Sequence, residues 1–288
     1  PGFLLEKKGS ALRMSTHQNT EHHSSSPSAS DQPTDEARTR SVQFAHFLDH
    51  KLGEFEHWLR ELLDICENSL CQFNAEMTKA QTNESQTKNY ARKEDSLARG
   101  GRQLNYVLSA LAAGAQSLKD ILPIVLQTPV TWTNLARIQH MEFFRGIRNA
   151  MTHDGHPVVN TWMDGKFYVG ADFERVGDRG QAIVVERPTQ DIATVSIEFT
   201  VDYVREIRSF LRTVKNTQHF AEPLYRADFY RSVAQHPAMP AFAREMVSQS
   251  KDLDQPLHFT SNVIEDVRKR LMDLEMYANF RLRDFGNT

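Results

Sequence analysis

Apolar residues recur in steps of three and four early in the chain: Phe44, Leu48, Leu52, Phe55, Leu59, Leu62, Cys66, Leu70, Phe73 and Met77. That spacing keeps one side of a helix apolar. Trp58 and Leu63 widen the stripe, while Lys51, Glu54, Arg60, Glu61 and Asp64 fall opposite it. The pattern predicts one amphipathic rod over about 34–82. After a polar stretch at 81–95, a second rod is predicted over about 96–125, marked by Leu97, Leu104, Val107, Leu108, Leu111, Leu118, Ile121, Leu122 and Val125. Gly100-Gly101 weakens its first turns and Pro123 kinks or ends it. Ala112-Ala113-Gly114-Ala115 leaves room for another helix to approach closely. A third helix should begin near Thr131 or Thr133, either of which can cap. Leu135, Ile138, Met141, Phe144, Ile147 and Met151 form its buried side, and Asp154-Gly155 ends it.

The period then shortens to two. Stretches 158–162 and 166–169 flank Met163-Asp164-Gly165, a hairpin signal because Asp-Gly tolerates positive φ. Residues 181–186 read as a third strand. Ala193, Val195, Ile197 and Phe199 alternate with Thr194, Ser196 and Glu198, which predicts a fourth strand with one wet face. Thr200 would then cap a helix carrying Val201, Val204, Ile207, Leu211 and Val214. Three more helical stretches follow at about 223–235, 241–250 and 261–284, the last with Asn262 and Glu265 in capping-box spacing. The expected fold is mainly α: a helical bundle over 34–216, a small antiparallel β insertion at about 157–199 before the last bundle helix, and a helical C-terminal extension over 217–288. Residues 1–13 read as a vector remnant ahead of Met14, and 15–33 as a polar, disordered tail.

Charge and composition narrow the function classes. A net charge of -3 supplies no global basic field, so contact with nucleic acid must be local. The longest apolar runs are too short to span a bilayer, and no signal peptide pattern opens the chain. Cys66 and Cys71, five apart on a helix, point roughly 140° apart and cannot bridge. Free thiols suit a reducing cytoplasm, where the protein is expected. No Gly-rich phosphate loop, Gly-x-Ser-x-Gly or zinc-spaced cysteine set is present, so neither cofactor nor metal is expected.

Chemistry concentrates where the third helix stops, in Phe143-Phe144-Arg145-Gly146-Ile147-Arg148-Asn149-Ala150-Met151-Thr152-His153-Asp154-Gly155. Asn149 and His153 are four apart and share a helix face, with Arg145 one turn earlier. Arg148 stands about 140° from His153 on an ideal helix, within reach through its long side chain or local unwinding. A fixed cation, an amide and a base that titrates near neutrality form a kit for cutting RNA without metal. His accepts the 2′-hydroxyl proton and Arg stabilises charge building on the phosphate. The bland reading is that Arg148 pairs with Glu142 or another carboxylate and His153 closes a helix end. A second chemistry, metal-dependent phosphohydrolysis, would use His153-Asp154 and His156 with His46, Asp49 and His50. Tyr225, Phe229 and Tyr230 with Arg226 and Arg231 form a candidate base-stacking set.

The stretch resembles the HEPN family (higher eukaryotes and prokaryotes nucleotide-binding), whose hallmark is Arg, four to six residues, then His, often with a polar residue directly after the Arg. Arg148, Asn149 and His153 fit at the short end of that range, and the resemblance covers about 34–216. It implies a helical core and a homodimer with two motifs facing across a cleft. It also implies metal-independent endoribonuclease activity on single-stranded RNA, in a toxin or anti-phage effector partnered by an antitoxin protein. Arg148 and His153 would be catalytic and Asn149 would position or polarise, with Arg145 and Thr152 as substrate contacts. The family also contains non-catalytic nucleotide binders and interaction modules, the alternative expectation.

Overall fold

The computed structural model describes residues 35–80, 100–153, 157–177, 180–221, 231–232, 234–250 and 262–286. The polar tail and the aromatic set at 225–230 lie outside these residues. Seven helices and two small hairpins make up the described chain. Helix α1 (Asp35–Ala80) and helix α2 (Arg102–Leu126) pack lengthwise, with Leu48, Leu52, Phe55, Leu59, Leu62, Leu104, Leu108, Leu111 and Leu118 buried between and around them. The small-residue stretch of α2 is filled from within the chain. Gly114 faces Phe55, and Ala115 O accepts a hydrogen bond from the Tyr203 hydroxyl. It is therefore not available to a second copy. Pro123 sits in the last helical turn, and Gln127 ends α2 in the left-handed region at φ 53°.

The third helix begins later than its first threonines suggest. Thr131 precedes only one helical turn, α3 (Trp132–Leu135), where Asn134 Oδ1 accepts from Thr131 N at 2.8 Å. The chain then turns at His140, φ 60°, before α4 (Met141–His153). Glu198 holds that turn. Its carboxylate accepts from Gln139 Nε2 at 2.8 Å and Gln190 Nε2 at 3.0 Å and lies 2.8 Å from His140 Nε2.

Two antiparallel hairpins follow. Strands β1 (Thr161–Met163) and β2 (Lys166–Tyr168) pair Trp162 with Phe167 across the Asp164-Gly165 turn, both residues at positive φ. Trp162 Nε1 donates to Ser69 on α1 at 2.9 Å. Strands β3 (Phe173–Val176) and β4 (Ala182–Val185) pair Arg175 with Ile183. The expected third strand is β4; its partner β3 was not foreseen.

The expected fourth strand is a helix. Residues 193–199 open α5 (Ile192–Arg212), capped by Asp191, whose Oδ1 accepts from Thr194 N at 3.1 Å. Thr200 lies inside the helix, donating to Ser196 O at 2.7 Å. The physical reason is burial on almost every side: Ala193, Val195, Ser196, Ile197, Phe199 and Thr200 are all buried. Such a helix carries no 3.6-residue stripe. The half-buried Thr194 and Glu198 are four apart and share one helix face, which imitated the wet face of a strand. A 3-10 turn, Gln218–Ala221, and a peripheral helix α6 (Ala241–Gln249) lead to α7 (Val263–Gly286). Asn262 Oδ1 caps α7 by accepting from Ile264 N at 3.0 Å. Helix α7 lies along α5 and touches α1, and Ile264, Val267, Leu271, Leu274 and Ala278 join the common core. No helix among the described residues is long and apolar enough to cross a membrane.

Candidate functional site

Helix α4 has three faces with three tasks. Phe144 roots it in the bundle, stacked on Phe199 with centroids 3.8 Å apart, and Phe199 stacks in turn on Tyr203 at 5.1 Å. Phe143 meets Phe173 of β3 edge-on at 6.1 Å. Gly146 lets β4 come against the helix, since a Cβ there would lie 2.6 Å from Val185 Cγ2. The remaining face carries Arg145, Arg148 and Asn149, at spacings of three and four residues.

These three side chains line one cleft of about 380 Å³. Gln116 of α2, Trp132 of α3, and Arg175, Val176 and Gly177 at the end of β3 complete its walls. The structure thus joins Arg145 to Arg148 and Asn149, the closeness that a helical wheel drawn from His153 understates. Helix α4 continues through His153, so that position follows Asn149 by one turn. The side chains of Thr152 and His153, and residues 154–156, lie outside the described set.

Arg175 is the residue the sequence reading missed. Period-two alternation in β3 leaves Glu174 and Val176 exposed and turns Phe173 and Arg175 toward α4. Only 5% of Arg175 is exposed. A hint existed in Phe-Glu-Arg-Val, but a four-residue strand with a charge on its inner face gives little signal.

The cleft is cationic. Guanidinium groups stay charged at any physiological pH, and three of them line it. The carboxylate at its rim, Glu142, is 72% exposed, 3.6 Å from Arg145 and 4.0 Å from Arg175. Arg145 also lies over the Trp132 ring, 5.5 Å from its centroid, and Lys119 approaches the same ring at 5.1 Å. Gln116 reaches Asp120 at 2.7 Å. Such a surface attracts an anion, and planar guanidinium forks match phosphate oxygens in pairs.

Two residues of the metal-dependent alternative are engaged elsewhere, while the His153 side chain, Asp154 and His156 lie outside the described residues. Asp49 pairs with Arg270 at 2.9 Å and His50 with Glu54 at 3.0 Å. Among the described residues no three His, Cys, Asp or Glu side chains are grouped to hold a metal ion. No family model, curated protein or solved structure matches the chain.

Proposed function

We propose that the chain is a metal-independent endoribonuclease of the HEPN type, acting on single-stranded RNA, with Arg148 and His153 as catalytic residues. The observation that carries this reading is the joint lining of one cationic cleft by Arg145, Arg148 and Asn149, at the end of a helix whose next turn contains His153. In the proposed step His153 takes the proton of a ribose 2′-hydroxyl. The 2′-oxygen bonds to the adjacent phosphorus, and the bond from phosphorus to the 5′-oxygen breaks. Water protonates the departing 5′-oxygen, leaving a 2′,3′-cyclic phosphate. Arg148 offsets the charge growing on the phosphoryl oxygens, and Asn149 orients them by hydrogen bonding. A second copy facing the first across the cleft would lengthen the RNA track, and an antitoxin protein would act by covering it.

The purified protein should cut single-stranded RNA in EDTA and leave DNA of the same sequence intact. His153→Ala should slow cutting by about 10²–10⁴-fold, the usual contribution of a general base. Arg148→Ala should abolish it, and Asn149→Ala should cost less because an amide positions without taking a proton. Binding of a nucleotide without cleavage, unchanged by His153→Ala, would favour a non-catalytic nucleotide-binding module instead. Three guanidiniums serve that alternative equally well.

A further inference from the structure

A buried guanidinium needs a reason. Arg175 is 5% exposed, its Nε has no hydrogen-bond partner among the described residues, and the carboxylate of the exposed Glu142 stands 4.0 Å from its guanidinium. Leaving a charged donor buried and unpaired is strongly unfavourable. Its neighbours on the hairpin, Phe173, Val185 and the directly opposite Ile183, are apolar. The same guanidinium lines the cleft with Arg145 and Arg148. Three fixed cations, two neutral amides from Gln116 and Asn149, and one orphaned donor describe a site built for an oxyanion that arrives from outside.

We infer that Arg175 of the β3–β4 hairpin, with Arg145 and Arg148 of α4, forms a binding site for a phosphoryl group. The hairpin thereby acts as a wall that brings a third cation to the motif helix, which alone offers two. The inference shares the cleft with the nuclease reading but does not depend on cleavage. An internal phosphodiester of a polynucleotide and a terminal phosphate monoester offer the same oxygens to these donors, and affinity distinguishes them.

The test uses the full chain, inorganic phosphate as probe, and isothermal calorimetry at low ionic strength. One saturable site per chain is expected. Arg175→Gln and Arg145→Gln should each weaken it at least about tenfold, the range for losing a hydrogen bond to a charged group. Arg175→Lys should recover only part, because it keeps charge but lacks the planar guanidinium fork. Circular dichroism checks folding; if Arg175→Gln does not fold, Arg145→Gln, whose side chain is 30% exposed, decides alone. Tighter binding of a dinucleoside monophosphate than of inorganic phosphate would identify an internal diester. Tighter binding of a nucleoside 5′-monophosphate would identify a terminal group, and either supports the site. Absence of binding at millimolar phosphate, several weak equivalent sites, or unchanged affinity in folded variants overturns it. RNA cutting is scored separately: phosphate binding without cutting removes the nuclease reading alone, and cutting with no phosphate site removes this inference alone.

Discussion

Gly146 and Val185 meet where no side chain fits between them: a Cβ on the glycine would lie 2.6 Å from one Val185 methyl and 2.9 Å from the other. Val185 is buried and sits opposite Phe173 in the hairpin register. This contact seats the β3–β4 hairpin on α4 one residue from Arg145, and so fixes where Arg175 enters the cleft. Glycine inside a helix ordinarily costs about 1 kcal/mol relative to alanine. Here that cost accompanies a close approach.

Gly146→Ala should therefore destabilise the protein despite its better helix propensity. Overpacking a tight contact costs about 1–3 kcal/mol, which set against a propensity gain of about 1 kcal/mol leaves a net loss of up to about 2 kcal/mol. Phosphate affinity should fall as the hairpin lifts and carries Arg175 with it. Val185→Ala added to Gly146→Ala should restore affinity, a coupling that denaturation and calorimetry on all four combinations would measure. Strict additivity between the two substitutions would show that the contact does not position Arg175.

Asn105 ties the far side of the motif. Its Nδ2 donates to Val159 O at 2.7 Å and Gly101 O at 2.7 Å, and its Oδ1 accepts from Val159 N at 2.9 Å. Both residues are buried, so the backbone leaving α4 is satisfied by one side chain of α2. Asn105→Leu should destabilise by roughly 2–4 kcal/mol, since each buried group left unpaired costs about 1–3 kcal/mol. Hydrogen exchange should accelerate at the Val159 amide before the rest of the core. An unchanged Val159 exchange rate would refute this role.

The long helices were legible because each keeps one polar face, as α1 does opposite Phe55 and Leu59. Legibility failed where burial is uniform. Helix α5 hides its period because Ser196 and Thr200 are as buried as Ile197. It failed again at β3, where a strand of four residues turns a charge inward. On the site, Arg145, Arg148 and Asn149 could be read from spacing alone, since they share one helix. Arg175 could not, because its approach depends on a hairpin register and on the missing side chain at Gly146. The partnership of α7 with α5 and α1 was equally hidden: its stripe announces a buried face but not against what.

Two buried acids should make the fold sensitive to alkali. Burial pushes the Cys66 thiol up, with Asp191 adding in the same direction. It also pushes the Tyr203 hydroxyl up, and Asp120 adds to that. Both groups are thus neutral in the fold and release protons more readily when unfolded. A folded-state pKa raised in this way contributes stability that is fully present below the unfolded value and is lost as pH rises beyond it. The window opens at about pH 9 for the thiol and about pH 10 for the phenol. Above each threshold stability should decline by about 1.4 kcal/mol per pH unit for that group. Tyr203→Phe keeps the ring stacked on Phe199 and removes the second contribution, together with the hydroxyl's hydrogen bond to Ala115 O. The variant should therefore be less stable at pH 8 but fall less steeply between pH 10 and 11. Urea denaturation at half-unit steps measures both slopes. Parallel curves for the two proteins up to pH 11 would mean that the Tyr203 proton is not held by the fold.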